Sequence, residues 1–404
     1  MGFHHGLSGL NAASKSLDVS GHNIANSNTI GFKKSRAEFN EMVASAMGTG
    51  QCPGSAGAGI GVSVAAVTQQ FSQGVITPTA NGLDMAINGD GFFVVNTPSG
   101  TAYTRNGAFQ LDKNGFLVTA NGDKVQGWAD ANATGTQPVD LQFPTGAGIP
   151  GRQTTGLSIQ AANLPATAPD ATSVTPNTPR HTYGTSLQVY DSQGVAIPVE
   201  VYFVKNGSNT WDVYDSLDPA ATPVGQVQFD GEGKFASTTV TTLNVDPSLA
   251  NPNNPPAPFT VTLDLSGMTQ NDRKWSVDKM TQDGYASGEL TGVNVSKDGT
   301  LMASYSNGLT RPEGKVALAR FTNPQGLAPN GNNNWVQTND SGPVLYGSAG
   351  SGSFGQIQGA ALEESNVDLT AELVGMMTAQ RSYQANAQTI KTQDQVFSTL
   401  VNLR

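Results

Sequence analysis

Each end of this 404-residue chain carries apolar residues at alternating steps of four and three, and that pairing of ends constrains the fold most. Phe3, Leu7, Leu10, Ser14, Leu17, Gly21 and Ile24 form the first seam, and Asn26, Asn28 and Gly31 stop it. Leu369, Leu373, Met376, Gln380, Tyr383, Ala387, Ile390, Asp394, Phe397 and Val401 form the second. Ser365 with Asp368 three residues on has the form of a helix-start box. The spacing predicts a C-terminal helix of about 35 residues, roughly 50 Å long. Both stripes are narrow seams, and a helix so poor in apolar surface is marginal in water. The ends can therefore pack on the chain's own core, or coil together or with copies in other subunits. The near-matching heptads favour coiling, and neither end offers the broad apolar face that a sheet requires.

The middle reads as β. Asn-Gly stands at 81–82, 88–89, 106–107, 114–115, 121–122, 206–207, 307–308 and 330–331, and Asp-Gly at 90–91, 230–231, 283–284 and 298–299. Such pairs supply the positive-φ residues of tight hairpin turns. Apolar or alternating runs flank them, as in Phe92–Val95, Val199–Val204 and Phe259–Leu265. With 47 Gly, 22 Pro and only 13% charged residues, the composition suits short strands and many turns. Residues 47–61 read as a flexible linker through Gly48, Gly50, Gly54, Gly57, Gly59 and Gly61. The stretches 144–180 and 246–258, rich in Pro and small residues, mark further breaks. The expected fold is mainly β and multidomain: two nested β domains, with N- and C-terminal helices forming a coiled-coil-like terminal domain. Its parts are 1–30 with 365–404 (helical), 31–70 with 350–364 (linker), 71–149 with 283–349 (first β domain) and 150–282 (inserted β domain).

Little here points to catalysis. A net charge of −10 argues against nucleic acid or an anionic membrane as partner. One cysteine excludes an intrachain disulfide framework, and with four histidines no metal centre is expected. Gly350, Gly352 and Gly355 match G-x-G-x-x-G, but Gln356-Ile-Gln-Gly-Ala360 after them opens no helix, so a loop is the better reading. Asp112-Lys-Asn-Gly115 lacks the spaced acids of a calcium loop and reads as a hairpin turn. His4 and His5, adjacent on a helix, do not share a face. Glu363-Glu364 reads as a solvated turn before the last helix, and Cys52 as an exposed linker residue without a role. G-x-S-x-G, H-E-x-x-H and the Walker lysine motif are absent, so neither an enzyme nor a cofactor is expected. No run spans a membrane, and Met1–Leu10 is no cleaved signal. The chain is then cytoplasmic, or it leaves the cell by a route that needs no cleaved signal.

Several segments resemble one family in order along the chain. They are Ser8-Gly-Leu-Asn-Ala-Ala13, Asn23-Ile-Ala-Asn26 with Thr29-Ile-Gly-Phe-Lys33, and Leu83-Asp-Met-Ala-Ile87 with Gly89-Asp-Gly-Phe-Phe-Val-Val95. Tyr103-Thr-Arg-Asn-Gly-Ala-Phe109, Gly347–Gly355, Gly359–Leu369 and Gln380–Asp394 continue the series. They resemble the axial proteins of the bacterial flagellum, a family of rod, hook and hook-associated subunits. The insertion near 150–282, with Asp191-Ser-Gln-Gly194, Val201–Val204 and Trp211, makes hook members the better match, because distal rod members are much shorter. The resemblance implies a structural subunit of the flagellar hook that forms a curved, flexible helical homopolymer, a universal joint carrying torque. It implies type III export without a cleaved signal, an extracellular location, and a distal rod protein, a hook cap protein and a hook-filament junction protein as neighbours. In such a subunit Phe3, Leu7, Leu10, Leu17, Ile24, Leu369, Leu373, Met376, Tyr383, Ile390, Phe397 and Val401 would form the polymerisation seam. A distal rod subunit is the alternative, and a secreted β-domain glycan hydrolase a remote one.

Overall fold

The computed structural model describes residues 2–43, 59–130, 137–143, 148–171, 180–218, 221–250 and 256–402. It is mainly β, with a helix near each end: α1 (Gly2–Ala25) and α2 (Leu369–Asn402). The chain divides into two compact units. One comprises Met1–Thr145, Gly292–Ser304 and Thr310–Arg404, and the other Gly146–Thr291 with Tyr305–Leu309.

In the first unit, α1 is followed by β1 (Ser35–Val43) and β2 (Gly59–Gln69), an antiparallel pair that runs from Ser35↔Gln69 to Val43↔Gly59 with register shifts between Glu38 and Phe39 and between Met42 and Val43. Residues 31–70, expected as a linker, therefore contain an antiparallel β ribbon. Gly59 and Gly61 lie inside β2 rather than in a flexible segment. The alternating Val62, Val64 and Val67 of that stretch supply β propensity that the Gly-based reading overlooked. Gly48, Gly50, Cys52, Gly54 and Gly57 lie outside the described residues.

The same unit's core is built on the strand Phe92–Thr97, which pairs antiparallel with Gly100–Thr104, Lys124–Trp128 and Thr310–Arg320. Phe92, Val94, Tyr103, Trp128, Phe321 and Trp335 are buried together. Their rings meet edge-on: Phe92 and Trp335 lie 5.7 Å apart, Tyr103 and Phe321 4.7 Å. Residues 350–364, also expected as linker, supply two strands. Gln356–Gly359 pairs with Met85–Asn88, and Ala361–Glu363 with Ile76–Pro78.

The second unit holds two five-stranded sheets. One is a meander from Gly184–Tyr190 to Phe235–Thr238. In the other, Gly156–Pro165 runs parallel to Phe259–Asp264 and Met268–Asn271 and antiparallel to Ser276–Gln282. Trp211, Phe203, Ile159, Leu164 and Met268 belong to one core drawn from both sheets. The Trp211 indole N–H donates to Gln270 Oε1 at 3.1 Å, so its polar edge is satisfied in the interior.

The Asn-Gly reading holds at Gly89, Gly115, Gly122, Gly207, Gly308 and Gly331, all with positive φ. It fails at Gly82 and Gly107, and at Gly231 and Gly284 of the Asp-Gly pairs. At Gly107 the demand is for space instead, since a Cβ there would stand 1.6 Å from the Met85 carbonyl oxygen.

Candidate functional site: the terminal helices and their joint

The face that α1 turns inward is not its large apolar seam. Gly6, Ala13, Val19 and Asn23 are the buried positions, with Gly9, Ser16 and Ser20 half-buried beside them. The small residues let α2 come close: a Cβ on Gly6 would lie 2.9 Å from Ile390 Cγ1, and one on Gly9 2.8 Å from the Asn386 amide. A cavity of about 460 Å³ lies between α1, α2 and the ribbon, lined by Gly9, Ala13, Ser16, Phe39, Gly375 and Ala379 among others.

The seam residues consequently divide. Leu10, Leu17, Ile24, Met376 and Ile390 are half-buried, while Leu7, Leu369, Leu373 and Tyr383 are exposed. Phe3 falls in α1, and Phe397 and Val401 in α2, by backbone alone. Val374 and Met377 extend the exposed stripe, and no residue of α2 whose side chain is described is fully buried. The ribbon adds Phe39, Met42, Val64 and Val67, all exposed. A two-stranded ribbon is marginal in water by itself.

Where the helices meet the β core, polar side chains take over. The α2 cap is Asp368, not Ser365: its Oδ1 accepts the N–H groups of Thr370 and Ala371 at 2.9 and 3.1 Å. Ser365 sits one turn too early, in an extended approach held by Asn366. The Asn366 Oδ1 accepts the Lys34 N–H at 2.8 Å, and its Nδ2 donates to the carbonyls of Gln70 and Ser72.

Glu363 is fully buried, contrary to the solvated turn expected for it. Alternation in the strand Ala361–Glu363 carries it inward with Ala361. Its Oε1 accepts from Lys33 Nζ at 2.6 Å and from the Gly74 N–H at 2.9 Å, and its Oε2 from Arg105 NH1 at 3.2 Å. Lys33 Nζ also donates to the Ser72 carbonyl, and Arg105 to those of Ile87 and Gly89. Burial lowers the Lys33 pKa, against the opposing pull of Glu363, and it lowers that of Arg105 likewise. Sequence reasoning missed this cluster because its members lie 330 and 258 residues apart. The signal available was the period-2 inward placement of a charge next to buried alanine.

Among the described residues no group of three His, Cys, Asp or Glu could hold a metal ion, and no helix is long and apolar enough to cross a membrane. Gly350 and Gly352 form a positive-φ turn leading into the strand Gln356–Gly359, with no helix for a dinucleotide phosphate.

The comparisons with known proteins agree along the whole chain. Residues 3–33 match the flagella basal body rod protein family and 86–174 the flagellar hook protein FlgE/F/G D1 domain. Residues 163–285 match the flagellar basal body protein FlaE D2 domain, and 358–403 the flagellar basal body rod FlgEFG protein C-terminal family. The flagellar hook protein FlgE of Escherichia coli is 43% identical, with all of both chains covered. The chain belongs to the flagellar hook protein family. The Salmonella typhimurium member is 42% identical over all of both chains, and that of Borreliella burgdorferi 33% over 99% of each. A crystal structure of the Helicobacter pylori flagellar hook protein FlgE2 overlaps 71% of this chain and all of its own, with a TM-score of 0.49 at 15% identity. A hook family member is a structural subunit of the flagellum.

Proposed function

We propose that this hook subunit polymerises through its terminal helices into a curved, flexible tube that carries torque from the motor to the filament. The observation that carries the reading is the exposed stripe Leu369, Leu373, Val374 and Met377 on a helix with no fully buried described side chain. Covering the exposed half of each such side chain is worth roughly 1 kcal/mol, a gain available only when another copy supplies the partner surface. Contacts of this kind are heterologous and do not close, so they build a helical polymer. Low charge and abundant small polar residues leave the β units without strong ion pairs between copies, so neighbours slide at little cost as the tube bends. The subunit is exported by the flagellar type III apparatus without a cleaved signal and assembles outside the cell. It sits on a distal rod protein, grows under a hook cap protein, and ends at a hook-filament junction protein.

Leu373→Asp and Met377→Asp test the reading. Both sites are half-exposed, so the monomer should melt as the native chain does while hooks fail to form. Hooks of normal length from both variants would overturn it.

A further inference from the structure

We propose that Glu363 makes the joint a two-part lock, so that α1 docks on the β core only when the C-terminal segment around residue 363 is also in place. The site holds two cations and one anion. The side chains of Lys33 and Glu363 are 0% exposed and that of Arg105 5%. The remaining acceptors of both cations are neutral carbonyls, those of Ser72, Ile87 and Gly89. Arg105 Nε is buried with no hydrogen-bond partner, so the guanidinium is already short of acceptors.

Without Glu363, Lys33 and Arg105 would face each other in the interior with no buried counter-charge, and only the exposed Asp90 would still act on Arg105. A cation in that position returns to water or sheds its proton. Lys33 cannot swing out alone. Phe32 before it is buried, and the Gly31 N–H donates to the Glu363 carbonyl at 2.8 Å. Gly31 itself has a φ of +70° and leaves no room for a Cβ, which would stand 2.6 Å from the Asn106 nitrogen. Expelling the lysine therefore lifts residues 31–33, and α1 with them.

The opposite side of the lock is equally dependent on the C-terminal segment. Glu363 Oε1 holds the Gly74 N–H, and Asn366 spans Lys34, Gln70 and Ser72. Residues 31–34, 70–74 and 105 are thus brought together by side chains that come late in the sequence. A chain whose residues 360–366 are undocked keeps α1 undocked, and only a complete subunit displays the α1 and ribbon surfaces. This holds whatever those surfaces bind.

Amide hydrogen exchange on the full-length monomer tests the lock. In Glu363→Gln, protection at Gly31, Phe32, Ser35 and Gln70 should fall about 100-fold or more. The strands Phe92–Thr97 and Thr310–Arg320 should keep theirs. Lys33→Met alone leaves a neutral Arg105–Glu363 pair and should cost less than about tenfold. Added to Glu363→Gln, it should restore at least about tenfold of the lost protection. Retained protection in Glu363→Gln, an equal fall in joint and core, or no recovery in the double variant would each overturn the proposal. If Glu363→Gln does not fold, Glu363→Asp keeps the charge but withdraws it by one methylene. The joint should then lose about tenfold with the core unchanged, and an equal fall in both overturns the lock.

Discussion

The side chain of Asn23 pairs with the backbone of Ser35 in both directions. Its Nδ2 donates to the Ser35 carbonyl at 2.8 Å, and its Oδ1 accepts the Ser35 N–H at 2.9 Å. A residue in the last turns of α1 thereby stands in for a neighbouring strand at the first residue of β1. Asn23→Ala leaves both backbone groups without a partner, at about 1–3 kcal/mol for each that stays buried. The expected outcome is loss of exchange protection at Ser35 and a total destabilisation of the first unit of about 2–4 kcal/mol in urea. A melt unchanged within error would mean that water replaces Asn23 at this site.

The approach of α2 to α1 predicts an asymmetry between two neighbouring glycines. A Cβ at Gly6 meets Ile390 Cγ1, next to that residue's branch point, whereas one at Gly9 meets the tip of the Asn386 side chain. The Asn386 amide can rotate away, and Ile390 can yield only with its helix. Gly6→Val should therefore cost about 1–3 kcal/mol and strip exchange protection from α2 near Ile390. Gly9→Ala should be close to neutral, helped by the better helix propensity of alanine. Equal effects at the two sites would show that the helices separate freely.

Those glycines also explain what the sequence could and could not reveal. Heptad spacing weights large apolar residues, so it located both helices but gave no sign of their close approach at Gly6 and Gly9. Close packing between helices is made by residues whose side chains give no periodic signal. The β texture was legible because turn chemistry is local, and six Asn-Gly pairs adopt the backbone it requires. Gly107 has the same dipeptide and serves a close approach to Met85, which only the tertiary fold determines. The joint was nearly hidden for a related reason. Glu363 is an ordinary charged residue until two distant cations enclose it, and beyond its period-2 placement beside Ala361 nothing local points to partners hundreds of residues away.

In the second unit, Asp283 ties Gly156–Pro165 to its flank. Its Oδ1 accepts the N–H groups of Thr155 and Gly156 at 2.8 and 2.9 Å, and its Oδ2 accepts the Thr155 hydroxyl and faces Arg152 at 3.5 Å. Partial burial pushes its pKa up, but the Thr155 and Gly156 hydrogen bonds outweigh that and hold it below the usual aspartate value. A carboxyl whose pKa is lowered on folding binds fewer protons folded than unfolded. Its contribution is complete above the unfolded pKa, near 4, and is lost as pH falls through the folded value. Denaturation of the second unit should thus become easier below about pH 4. Asp283→Asn should reduce that dependence, and an unchanged acid slope would assign it to other carboxylates such as Asp264, also lowered by its hydrogen bonds to Ser266.

Ala360 adopts a φ of +51°, a left-handed conformation that costs an L-residue about 1–2 kcal/mol. It stands between the strands Gln356–Gly359 and Ala361–Glu363, and its carbonyl accepts the Thr79 N–H at 2.7 Å. The kink turns the chain toward the buried Glu363 three residues on. Ala360→Gly removes the steric cost but adds about 0.5–1 kcal/mol of freedom to the unfolded chain. The net gain should be about 0.5–1 kcal/mol, a rise in Tm of roughly 1–4 °C for the first unit. Gly359→Ala supplies the contrast. Its Cβ would stand 2.7 Å from the Val295 carbonyl oxygen, so the same two-residue corner should lose stability when the methyl is placed one position earlier. If Ala360→Gly instead lowers the Tm, the methyl contributes more by packing than its backbone conformation costs.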